Sequence, residues 1–155
     1  MSAPPAPPPP AAPEDDQAGR GVVRASWGGT AVFTVAAAAG VASDEAEGVF
    51  AVVSLTLFGL GLAGFLWSFW RAVVRSQEEE IAVASLWFLT GSAPALVRRV
   101  LLASVAAEVV VALLSASLRP FTALAFGILV PVYGLALCGV WAGRHGRFPT
   151  RSRAR

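Results

Sequence analysis

The sequence predicts an all-α, polytopic membrane protein with four transmembrane helices and a short cytoplasmic interfacial helix. Three observations predict it. Four long stretches, 25–43, 49–70, 100–118 and 121–143, carry no charge except for Glu108 in the third. About 20 residues at ~1.5 Å rise cross the ~30 Å hydrocarbon core of a bilayer, so runs of this length and apolarity fit membrane spans. Charged residues make up only 14% of the 155-residue chain and hydrophobic ones 55%, whereas soluble domains carry about 25% charge. Finally, arginine brackets the apolar runs: all 12 basic residues are arginine and lysine is absent.

Taken in order, residues 1–20 form a separate region. Seven of the 11 prolines lie there, at Pro4, Pro5, Pro7, Pro8, Pro9, Pro10 and Pro13, followed by Glu14, Asp15 and Asp16. Such a segment cannot bury enough apolar surface to offset its chain entropy, so a disordered tail with local polyproline II is expected. It has neither the charged n-region nor the apolar h-region of a signal peptide. A solvated tail is the simpler reading; a docking ligand for a proline-recognising partner is the functional one.

The four-helix domain is expected over 21–147, with spans at about 25–43, 49–70, 96–118 and 121–143. Between the second and third spans, Ser76-Gln77-Glu78-Glu79 fits a capping box, in which the Ser76 hydroxyl and the Glu79 carboxylate satisfy free amide donors. It predicts a helix over about 77–90, stopped by Gly91. Trp87 and Phe88 would lay that helix along the inner membrane surface or tuck it under the bundle. A fifth span here would be short, broken by Gly91 and Pro94, and would strand the basic end of the chain outside. Pro94 suits the start of a helix, where its missing N–H does no harm. The third span then begins before Arg98 and Arg99, which snorkel to the headgroups. Pro131, inside the fourth span, predicts a kink. Residues 148–155 form a basic tail.

Cytoplasmic loops carry the excess of basic residues. With the amino terminus inside, 11 of the 12 arginines fall on the cytoplasmic side, and Arg119 alone falls outside, with Asp44, Glu45 and Glu47. This places the protein in the cell membrane with both termini cytoplasmic. Trp27, Trp67, Trp70, Trp87 and Trp141 all fall toward the same side and predict an aromatic belt on the inner leaflet.

Helices in lipid associate through small residues and polar contacts. Gly59/Ala63 and Gly64/Ser68 in the second span, and Gly139/Gly143 in the fourth, are candidate packing pairs, with internal packing favoured over dimerisation. Glu108 is the only charge deep in the membrane, ten residues after Arg98 and eleven before Arg119. A charge at that depth costs ~2.5 kcal/mol or more, so Glu108 is expected to face the bundle in its neutral form. Counting depth along the antiparallel fourth span brings Tyr133 level with it, and Thr34 shares the layer. A Glu108–Tyr133 hydrogen bond is the specific expectation.

Enzyme chemistry finds little support. There is one His, one Cys (Cys138), and no His/Glu pair at metal-ligand spacing. Gly59-Leu60-Gly61-Leu62-Ala63-Gly64 matches a dinucleotide fingerprint only by letter, because it sits inside an apolar span and follows no strand. No cofactor, metal or nucleic acid is expected. The partners expected are the lipid bilayer, anionic lipid at the C-terminal tail, and a membrane-protein partner or further copies of the chain.

Arg119-Pro120, Leu124-Ala125-Phe126-Gly127, Pro131, Gly134 and the run Trp141-Ala142-Gly143-Arg144-His145-Gly146-Arg147-Phe148-Pro149 resemble small, uncharacterised integral membrane proteins of actinobacteria. The likeness covers about half the chain, residues 71–149, and the arginine-only basic set agrees with it. It implies localisation and fold, not activity. The function expected is a non-enzymatic accessory or scaffolding subunit that docks a membrane or cytoplasmic partner. The alternative is a small transporter or channel subunit using Glu108.

Overall fold

The structure, a computed structural model, describes residues 13–77, 82–146 and 148. Among these the chain is helical and without strands: α1 (Pro13–Ala42), α2 (Glu47–Arg75), α3 (Val83–Trp87), α4 (Ala95–Leu118) and α5 (Pro131–His145), with 3-10 segments at Asp44–Ala46 and Ala123–Leu129. Four stretches are long and apolar enough to cross a membrane: Gly19–Ala42, Asp44–Arg75, Ala95–Leu118 and Ala123–His145. The expected tails lie largely outside the described residues, and 13–20 belong to α1 rather than to a tail.

The helices alternate in direction, so α1 runs parallel to α4 and α2 parallel to α5. Register shows this directly. Ser26 meets Ser104 and Thr30 meets Glu108, each pair 78 residues apart. The core divides into two apolar clusters along the bundle axis. One gathers Val22, Ala72, Trp87, Leu101, Cys138 and Trp141 at the arginine-rich end. The other gathers Phe33, Phe50, Leu57, Ala112, Leu124 and Val130 toward the Arg119 end. A polar layer built on Ser26, Thr30, Ser104 and Glu108 separates them.

α2 and α5 form the most extensive helix pairing. It depends on small residues, because a Cβ on Gly61 would stand 2.7 Å from the Tyr133 backbone, and one on Gly64 meets Ala136 at 3.4 Å. Gly139 lies where a Cβ would collide with Trp87 and come within 2.8 Å of Ser68 Oγ, so Gly139 and Ser68 are packing residues. At Gly143 a Cβ would make only ordinary contacts, with Trp67 at 3.7 Å and Arg71 at 3.9 Å. Gly59 and Ala63 face outward, and nothing lies within 4 Å of a Cβ placed on Gly59. The expected Gly59/Ala63 pair therefore does not pack inside the bundle, whereas Gly64 and Ser68, also expected as a pair, do, and Gly61 joins them. The two sets lie on different faces of one helix.

Of the helix expected over 77–90, the described residues form α3, five residues long; residues 78–81 are not among those described. Ser76 is the C-cap of α2, and its hydroxyl donates to the Val73 carbonyl at 2.7 Å; the expected capping box would also need Glu79. Glu79 lies outside the described residues. α3 is tucked under the bundle, where Trp87 stacks on Phe65 with centroids 4.1 Å apart and planes 7° from parallel. The chain leaves α3 through Leu89 and Gly91, both in the left-handed region (φ 55° and 74°). Ser92 Oγ donates to the Ser85 carbonyl and Arg98 Nε to the Phe88 carbonyl, which ties this turn down.

The fourth span is not one helix kinked at Pro131. It is a 3-10 segment, Ala123–Leu129, followed by a new α-helix that has Pro131 in its first turn. Proline lacks the N–H that a continuing helix needs but suits a first turn, and that is the physical reason for the break. Only three of the five tryptophans expected in an aromatic belt are exposed. Trp27, Trp67 and Trp70 are exposed, whereas Trp87 and Trp141 are core residues at 9% and 5% exposure.

Candidate functional site

The polar layer is the candidate site. α1 and α4 each contribute two polar residues one helical turn apart, so the side chains stack as rungs on facing helix surfaces. In the lower rung Ser26 Oγ and Ser104 Oγ lie 2.5 Å apart, and Ser104 donates to the Leu101 carbonyl at 2.8 Å. In the upper rung Thr30 Oγ1 lies 3.0 Å from both the Ser26 carbonyl and Glu108 Oε1. Ser26, Ser104 and Glu108 have no exposed surface at all.

One threonine proton cannot serve both acceptors fully. A relay in which the carboxyl O–H of Glu108 donates to Thr30, and Thr30 donates to the Ser26 carbonyl, uses each donor once. It also carries no net charge into the bundle, where a charge is costly. The second carboxyl oxygen, Oε2, makes no hydrogen bond of good geometry among the described residues, although the Gly134 backbone approaches it. It packs against Gly134, where a Cβ would stand 2.5 Å away, so the glycine makes room for the acid. Gly134 belongs to the first turns of α5, just past the break in the fourth span.

The sequence-predicted residues are brought together only in part. Glu108 faces the bundle as expected. Its partner is Thr30, not Tyr133: the Tyr133 hydroxyl donates instead to the Ala25 carbonyl at 2.8 Å, and its ring crosses α1 at Gly29. Tyr133 is level with the acid but points away from it. Thr34 is exposed and donates to the Thr30 carbonyl at 2.7 Å, outside the layer. Ser26, Thr30 and Ser104 were missed, although their spacing offered a signal: Ser26/Thr30 and Ser104/Glu108 are two polar i, i+4 pairs in otherwise apolar runs.

At the other end of the bundle, Arg119 joins three elements. It donates to the Gly40 carbonyl at 3.0 Å near the end of α1, pairs with Asp44, and meets Glu47 Oε1 at 3.1 Å at the start of α2. Among the described residues no three His, Cys, Asp or Glu side chains converge as a metal site. Comparison with protein-family models, with curated proteins and with solved structures finds no match.

Proposed function

We propose that this chain is a non-enzymatic integral membrane protein, an accessory or scaffolding subunit that docks a membrane or cytoplasmic partner. The observation that carries the reading is the sealed polar layer. Glu108 is fully buried, bonded to Thr30 and packed on Gly134, which suits an interhelical tie better than a station on a path through the bundle. The proline-rich head and the basic tail, which would rest on anionic lipid, then supply the recognition segments outside the bundle. The charge bias supports placing both termini in the cytoplasm of a cell membrane.

Affinity purification of the full chain from its native membrane tests this. A stoichiometric partner is expected. A homo-oligomer with no partner, together with ion flux across proteoliposomes that Glu108→Gln abolishes, would overturn it in favour of a small transporter or channel subunit. One observation favours that second reading. Membrane transporters place binding sites where a span is interrupted near the midplane, and Glu108 Oε2 packs on Gly134, just past such an interruption.

A further inference from the structure

Between the arginine-rich ends of α1, α2 and α5 and the segment that opens α4 lies a partly open cavity of about 1140 Å³. Five arginines stand in its wall: Arg20 and Arg24 from α1, Arg71 and Arg75 from α2, and Arg144 from α5. No acidic residue is among the described residues that line it. The Arg24, Arg71 and Arg144 guanidiniums, gathered around one hollow, repel each other, and a protein wall screens that repulsion less than open solvent does. An anion in the cavity relieves it.

The geometry favours one kind of anion. The Trp67 ring holds two of the guanidiniums, with Arg71 5.5 Å and Arg144 5.1 Å from its centroid. Arg75 is fixed in the floor by the Gly143 and Gly146 carbonyls, at 3.3 and 3.4 Å, and lies over Phe148. Planar guanidiniums on such supports match the oxygens of a phosphate ester, which they bind through paired N–H donors. Val23, Pro94, Leu96 and Val97 give the cavity an apolar part of its wall. Sites for organic ligands measure about 300–1,000 Å³, so this volume suits a phosphorylated molecule with an apolar portion rather than a lone phosphate. The cavity also lies at the end of the bundle where the exposed Trp67 and Trp70 suit a headgroup layer.

We propose that this cavity binds the phosphate-bearing headgroup of an anionic phospholipid, with the acyl chains leaving along the apolar wall. The site is separate from the basic tail, and it stands whether or not the bundle docks a protein partner.

Native mass spectrometry of the full-length protein in detergent tests the proposal, with phosphatidylglycerol, phosphatidylcholine or inorganic phosphate added. Retention of one phosphatidylglycerol per protein at high salt is expected, at least tenfold over phosphatidylcholine. The double variant Arg71→Gln/Arg144→Gln, whose side chains are exposed, should lose at least tenfold in that retention. Arg98→Gln/Arg99→Gln, which removes two arginines outside the cavity, should change it less than twofold. Equal losses in the two double variants would overturn the proposal, because general surface charge would explain the binding. So would equal retention of the two lipids by the unaltered protein, a comparison that needs no variant. Tight binding of inorganic phosphate alone, lost with Arg71 and Arg144, would overturn the lipid as the source and leave a soluble phosphate ligand.

Discussion

Glu108 decides how α1 and α4 meet, and the chemistry of its carboxyl group makes a sharp contrast between substitutions. If it sits as a neutral acid that donates to Thr30, a carboxamide can donate in its place. Glu108→Gln should then cost less than ~1 kcal/mol. Glu108→Ala removes the bond and leaves a void against Gly134, so a loss of ~2–4 kcal/mol is expected. Thr30→Val should cost ~0.6–1.7 kcal/mol, the usual range for a hydrogen bond between membrane helices. Denaturant titration in detergent micelles measures all three. A double-mutant cycle between Thr30→Val and Glu108→Ala should give a clear coupling energy, whereas a cycle between Glu108→Gln and Tyr133→Phe should give none. Glutamine as damaging as alanine would show that the site needs the ionised carboxylate and would remove the relay.

At the scale of elements, the α2–α5 crossing and the Arg119 cluster carry separate loads. Gly61 sits on the Tyr133 backbone, which cannot retreat as a side chain could. Gly61→Leu should therefore destabilise by ~2 kcal/mol or more, while Gly59→Leu, facing open space, should stay within ~0.5 kcal/mol. Similar losses at both positions in the same titration would mean that Gly59 also packs against protein. Arg119 is a third case. Its bonds hold the end of α1 and the start of α2 together, so Arg119→Ala should cost about 1–3 kcal/mol by the same measurement. In the sequence this residue was only the exception to the charge bias.

These two elements also mark what could be read in advance. The spans were legible because lipid leaves few ways to satisfy a backbone, so length and apolarity suffice. The facing of each helix was not legible. Small residues occur all around α2, and spacing alone cannot separate Gly59/Ala63 from Gly61/Gly64. The tryptophans misled for a related reason: an indole satisfies a headgroup layer or fills a core equally well, and Trp87 and Trp141 do the latter. Thr34 was placed one turn too high because α1 begins before the uncharged run from which depth was counted.

For the whole molecule, alternation of four spans brings the start of α1, the end of α2 and the end of α5 to one end, where their arginines share a cavity. The Asp44, Glu47 and Arg119 cluster occupies the other end. The bundle is thus electrically polar along its axis, and the arginine excess gives it one favoured orientation. Accessible cysteines test that orientation. Cys138 is fully buried and can be replaced by alanine to clear the background. In that background Ser43→Cys, exposed beside the acidic turn, should react with a membrane-impermeant maleimide in intact cells. Gln77→Cys, exposed after α2, should react only once the membrane is opened. The reverse pattern would invert the topology, and labelling of both sites in intact cells would show that no single orientation is held. Because the sequence pattern assigns 11 of 12 arginines to the side expected to be cytoplasmic, no single arginine is expected to decide the outcome, and the labelling pattern should survive Arg119→Ala even where stability does not.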